Sequence, residues 1–147
     1  MAQDMDALCH VYCYYFPNGK RYFGIAKDVA NRHQKHWEDV MYRPRALLHK
    51  MWIKYGLGKD FQPMVVYTGT RYECMQQEVR LISMHRTNVV EWGEDADGYN
   101  TSPGGDDHLH SARCGAVLRE LLDTVPEFAD WARGRKRTTR KKKQATA

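Results

Sequence analysis

Two short stretches that favour extended backbone, CHVYCYYF over residues 9–16 and Lys20-Arg21-Tyr22-Phe23-Gly24, flank Pro17-Asn18-Gly19. Aromatic and β-branched residues suit a pleated surface, and Asn-Gly supplies the positive φ angles that a tight hairpin turn requires. An antiparallel hairpin is thus the element around which the rest must be arranged. Alternation along its first strand puts Tyr12 and Tyr14 on one face and Val11, Cys13 and Tyr15 on the other.

Downstream the pattern turns helical. Asp28 can cap a helix starting at Val29, in which Val29, His33, Trp37 and Val40 form a core-facing stripe, with Arg32 and His36 beside it on one side. A second helix is expected from about Arg45 to Tyr55, with Leu48, Met51, Trp52 and Tyr55 facing inward and Gly56 and Gly58 ending it. FQPMVVYTGT, 61–70, reads as a third strand with Pro63 near its start. Tyr72 to Arg86 reads as a third helix whose apolar face, Cys74, Met75, Leu81, Ile82 and His85, carries Glu78 at its centre. After a polar stretch over 91–98 comes a sharp turn at Pro103-Gly104-Gly105. Leu109 to Gly134 suits a helix carrying Val117, Leu118, Leu121 and Leu122, then a shorter one after Pro126 with Phe128 and Trp131. The expected class is α/β (α+β): a small three-stranded, mainly antiparallel sheet flanked by helices, with a C-terminal helical extension.

At 147 residues the chain suits one domain with short extensions. Eight Lys or Arg and no acid fall between Arg133 and Lys143. Removing those eight from 23 basic residues leaves 15 against 18 acidic ones, so the body carries about −3 of a total of +5. A run of this kind stays solvated and suits phosphate contact through counterion release, or acts as a solubility or nuclear-targeting tail. No stretch approaches the roughly 18 apolar residues of a membrane span, and residues 1–7 lack a secretion signal. A soluble intracellular protein, nuclear if eukaryotic, is expected. Its cysteines, Cys9, Cys13, Cys74 and Cys114, are then expected as free thiols. Cys9 and Cys13 with His10, His108 and His110 lack the paired spacing of a zinc site.

Six dispersed polar residues stand next to turns or on otherwise apolar faces: Tyr12, Tyr22, Arg32, His36, Glu78 and Asn100. Singly, each has a plain reading. Tyr12 and Tyr22 can be packed strand aromatics, Arg32 an exposed cation, His36 a half-buried ring, Glu78 a carboxylate paired with an arginine such as Arg32, and Asn100 a loop cap. Together and in order they resemble the GIY-YIG nuclease family over about residues 9–105. His10-Val11-Tyr12 resembles the first triplet, Tyr22-Phe23-Gly24 the second, Arg32 and His36 the first-helix pair, Glu78 the metal-ligand glutamate, and Gly98-Tyr99-Asn100 with Pro103-Gly104-Gly105 the closing motif. His10 departs from the pattern by replacing the first glycine.

The resemblance implies a GIY-YIG fold with a catalytic domain over 8–106; beyond it, the residue pattern suggests a helical extension over 107–132 and the charge run a mobile basic tail over 133–147. The resemblance also implies a DNA endonuclease that hydrolyses phosphodiesters with one metal ion. Glu78 would bind Mg²⁺, or Mn²⁺. Tyr12 would act as general base or orient the attacking water, His36 would accept its proton or hold the phenol, and Arg32 would clamp the phosphate. Tyr22 would position phosphate or water, and Asn100 would brace the site. Lys20 and the tail residues Arg135, Lys136, Arg137, Arg140, Lys141, Lys142 and Lys143 would contact DNA. A homing or phage-type enzyme is the leading biological reading, with restriction or structure-specific repair as neighbours. A non-catalytic nucleic-acid binding module using the tail is the alternative from another class. A homodimer is compatible with the sequence but not indicated by it, and no membrane partner is expected.

Overall fold

The hairpin forms where its residues call for it. The computed structural model describes residues 5–105, 111–129 and 131, with side chains omitted over 111–114. β1 (Leu8–Tyr15) and β2 (Arg21–Ala26) pair antiparallel with Tyr12 opposite Gly24 and Tyr14 opposite Tyr22. Gly19 at the turn has φ +86°, a left-handed conformation that glycine adopts without steric cost. β3 (Met64–Thr70) adds antiparallel to the other edge of β1, giving the order β2-β1-β3. Between Val11 and Tyr12 the β1–β3 register slips from Tyr67 to Val65, a bulge that leaves Val66 as the extra residue and bends the strand locally.

Helices cover both faces of this sheet. On one side lie α1 (Val29–Tyr42) and α2 (Leu47–Lys54); on the other lies α3 (Arg71–Met84). Alternation along β1 divides the core accordingly. Tyr12, Tyr14 and Phe16 join Val40, Leu47, Leu48, Met51 and Trp52, whereas Cys9, Val11 and Cys13 join Phe23, Cys74 and Ile82 under α3. Cys9, Cys13 and Cys74 are buried free thiols; Cys114, His108 and His110 lie outside the described side chains. Trp52 sits at the centre of the larger cluster, its ring 5.1 Å from those of Tyr14 and Phe61, and its indole N–H donates to the Gly58 carbonyl at 3.0 Å.

Caps fix the helix starts. The Asp28 carboxylate accepts from the Asn31 N–H at 3.0 Å, as its position before Val29 predicts. α3 starts one residue earlier than the sequence suggests, because Thr70 and Glu73 form a reciprocal capping box. β3 starts later, at Met64 rather than Phe61. Pro63 has no N–H for a ladder, and the partly buried Phe61 ring turns inward, 4.9 Å from that of Phe16. A four-residue helix, α4 (Val89–Trp92), capped by Asn88, leads into the polar stretch over 91–98, where a 3₁₀ turn forms at Gly93–Asp95. Periodicity cannot register elements that short.

α5 (Ser111–Thr124) stops just before Pro126, and α6 (Pro126–Ala129) follows. Val125 and Phe128 are buried within the larger cluster, so these helices share the core of the sheet instead of standing apart from it. No helix among the described residues is long and apolar enough to cross a membrane.

Candidate active site

Tyr12 projects from the central strand towards α1, where its hydroxyl meets His36 Nε2 at 2.8 Å. Both groups are buried. The ring needs the space that Gly24 leaves open across the strand: a Cβ at Gly24 would fall 2.4 Å from the Tyr12 oxygen. The glycine of the second triplet is thus required by the tyrosine of the first. Burial pushes the Tyr12 phenol above its ordinary 10.0, Arg32 opposes this through a hydrogen bond and its charge, and the Glu78 charge adds to the rise.

Tyr22 lies on the same side, its ring 6.2 Å from that of His36. Burial pushes its phenol above the ordinary value too, with Tyr12 and Glu78 adding and Arg32 opposing. Arg32, on the exposed surface of α1, is therefore close enough to act on both phenols. Glu78 comes from α3 on the opposite face of the sheet, and its charge reaches the same two phenols. One of its carboxylate oxygens accepts from the Gly105 N–H at 2.9 Å, so the Pro-Gly-Gly turn closes over it. Burial drives the Glu78 carboxyl up to about 7, against the Gly105 N–H and the Arg71 charge, which pull it down. Tyr12, Tyr22, Arg32, His36 and Glu78 converge.

Asn100 stands apart from that convergence. Its amide donates to the Phe23 carbonyl at 2.8 Å and its oxygen accepts from the Phe23 N–H at 3.0 Å and the Thr87 hydroxyl at 2.8 Å. Segment 97–100 runs beside the outer edge of β2, and the side chain of Asn100 takes the place of the next peptide group there. It holds the strand that carries Tyr22 and Gly24. Lys20, expected as a phosphate contact, has its ammonium 2.6 Å from Glu127 on α6 and stacked over the Tyr99 ring. That carboxylate also accepts from Tyr55 and Tyr99, and these bonds hold it below the usual range although burial pushes the other way. The Lys20 charge is thus neutralised within the fold. The seven tail residues from Arg135 to Lys143 lie outside the described residues. His10, at the place of the first glycine, bonds Thr68 Oγ1 at 2.8 Å across to β3.

Comparison of the chain with protein-family models, with curated proteins and with solved structures finds no match.

Two features of the site escaped the sequence. His36 Nδ1 lies 2.9 Å from Nε2 of His49, on α2, a helix whose apolar face reads as scaffold. A histidine between buried leucines and Met51 is the only local signal. Beside this, Tyr14 bonds His33 Nδ1 at 2.8 Å, and His33 Nε2 lies 2.7 Å from the Lys59 carbonyl. Burial pulls His36 down to about 3, with His49, Arg32 and His33 adding to the fall, and His49 down to about 4, with Asp39 opposing and Arg32 adding. Both rings are neutral at neutral pH.

An acid sensitivity follows. The folded values lie below the ordinary 6.5, so the unfolded chain binds more protons as pH falls from about 6.5, and stability is lost progressively down to about 3. Melting temperatures of His36→Gln measured against the parent chain check this: the difference should move in the variant's favour as pH falls through that window. A constant difference would contradict a buried neutral ring.

Proposed function

We propose that this protein is a metal-dependent DNA endonuclease that cleaves phosphodiesters with Tyr12 as general base. The observation that carries this reading is the Tyr12 oxygen, bonded to His36 Nε2 at 2.8 Å and acted on by Arg32 and Glu78. A phenol so placed has a hydrogen-bond partner behind it and a cation beside it, which a merely packed tyrosine does not need. Support also comes from the order in which these residues occur, the order that resembles the GIY-YIG family.

Glu78 is suited to hold one hard cation. Its carboxylate has a single backbone donor and a raised proton affinity, both of which a bound cation would offset. No cluster of three or more metal-ligating side chains occurs among the described residues, so Glu78 would act with water and phosphate oxygens, as suits Mg²⁺ or Mn²⁺. Such an ion supplies charge stabilisation to the phosphate and the leaving oxygen. The chain's own residues do the rest. Tyr12 acts in its phenolate form, its own proton having left to solvent, and takes a proton from the attacking water to become the phenol; His36 holds its oxygen, Arg32 binds the phosphate with paired N–H groups, and Tyr22 positions water or phosphate. Asn100 keeps β2 in place beneath them.

Supercoiled plasmid incubated with the purified protein tests the reading. Nicking or linearisation with Mg²⁺ and none with EDTA is expected. Salt-sensitive DNA binding without cleavage of plasmid or branched substrates would replace the enzyme with a binding module.

A further inference from the structure

The two tyrosine–histidine pairs on this face of the sheet end differently. In the first, a backbone carbonyl, that of Lys59, faces His33 Nε2. A carbonyl only accepts, so His33 carries its proton on Nε2, and Nδ1 must accept from the Tyr14 hydroxyl. The Gln62 amide also approaches Nε2, at 3.2 Å, a longer contact than the carbonyl's 2.7 Å. Tyr14 is thereby fixed as a donor and a neutral phenol.

In the second pair the chain continues from Tyr12 through His36 to His49 and stops. His49 is 95% buried, and its Nδ1 finds no partner among the described residues. Asp39 lines the same cleft as His49, with Arg43, Arg45 and Ala46, yet no hydrogen bond joins its carboxylate to the ring, and its near partner is Arg43 at 3.6 Å. A proton on that nitrogen would be a buried N–H with no acceptor. Orphaned donors are rarer in proteins than orphaned lone pairs. The proton of His49 therefore belongs on Nε2, where it has His36 Nδ1 to donate to.

We propose that His49 is a positioning residue: it donates Nε2–H to His36 Nδ1 and so makes His36 Nε2–H a donor to the Tyr12 oxygen. The polarity is opposite to that of the Tyr14 pair, although both start from a tyrosine on the same strand. Tyr14 gives its hydrogen to a ring, whereas Tyr12 receives one. A donor from His36, with Arg32 beside it, favours the Tyr12 phenolate and so works against the burial that disfavours it. The groups facing His36 are Tyr12, Tyr14, Tyr22, Arg32, His33 and His49; those acting on His49 are His36, Asp39 and Arg32, with Arg43 and Arg45 in the cleft. None of them is an acceptor bonded to the free His49 nitrogen.

The catalytic consequence rests on the nuclease reading, but the hydrogen-bond polarity does not, and the test separates them. Proton–nitrogen correlation spectra of isotope-labelled protein at neutral pH report which ring nitrogen carries hydrogen. His36 and His49 are expected as neutral rings with hydrogen on Nε2, and His33 with hydrogen on Nε2. A His36 ring protonated at Nδ1 would overturn the proposal, whether or not the protein cuts DNA. In His49→Met, which fills the space without a donor, His36 should show a mixture of tautomers, and nicking should fall by about 10- to 100-fold, as outer-shell partners typically cost. His49→Gln, which can donate from a similar position, should restore both. Equal loss in the Gln and Met variants, or an unchanged His36 tautomer in Met, would reduce His49 to packing. If His49→Met fails to fold, the parent spectrum and His49→Gln still decide.

Discussion

Replacing Glu78 by Gln should remove metal-dependent cleavage, by about a thousandfold or more given the several kcal/mol that a bound cation supplies, while leaving the fold intact. The variant is nearly isosteric, and its amide oxygen can still accept from the Gly105 N–H. A second readout needs no substrate. The folded carboxyl titrates at about 7 against an ordinary 4.5, so between those values the folded state binds more protons than the unfolded one, and stability declines as pH rises. The parent chain should therefore lose melting temperature relative to Glu78→Gln as pH rises from about 4.5 to 7. Added Mg²⁺ at about pH 8 should recover it in the parent alone, because a ligand that binds the folded state stabilises it by mass action. Cleavage that survives in the variant would remove Glu78 from the metal site. Equal Mg²⁺ effects on both melting curves would do the same.

Tyr12→Phe should cost about 10²- to 10⁴-fold in cleavage rate, the usual contribution of a placed acid or base. It also leaves His36 Nε2 without its partner in a buried site, a loss of about 1–3 kcal/mol in stability. Stability alone could lower apparent activity, and Tyr14→Phe controls for this. That change deletes a hydroxyl from the same strand and the same face, leaves the buried His33 Nδ1 without its partner, an acceptor where Tyr12→Phe leaves a donor, and should destabilise within the same range of about 1–3 kcal/mol with little effect on rate. If the two variants lose activity equally, the phenol of Tyr12 has no chemical role. Plasmid nicking at a temperature where both are folded makes the comparison.

What could be read in the sequence was whatever local chemistry decides. Asn18-Gly19 and its flanking aromatics fixed the hairpin, alternation sorted Tyr12 and Tyr14 from Val11 and Cys13, and Asp28 marked the start of α1. The convergence of Tyr12, Tyr22, Arg32, His36 and Glu78 was legible only as an ordered set, since no single spacing among them specifies proximity. His49 was hidden because its meaning depends on a ring 13 residues away and on an apolar helix packing that ring against it. The role of Gly24 was hidden because it arises from register, the pairing of Tyr12 with Gly24 across two strands. Lys20 looked like a free cation beside a turn. Its partner, Glu127, is 107 residues further on, in a helix of four residues that no periodicity reveals.

Glu127 comes near the end of the covalent order yet lies at a junction of the fold. Asn18 and Lys20 from the hairpin turn, Tyr55 from the end of α2 and Tyr99 from the segment beside β2 all direct donors at it, and the Lys54 ammonium donates to its carbonyl. The segment up to residue 105 therefore borrows its keystone from the helices that follow. Cutting the chain after the turn at 105 would remove Val125 and Phe128 from the core and leave four side-chain donors, those of Asn18, Lys20, Tyr55 and Tyr99, around an absent carboxylate. The smallest autonomous folding unit must extend through α6, and any segment exchanged for the C-terminal helices would have to carry a carboxylate into the same place.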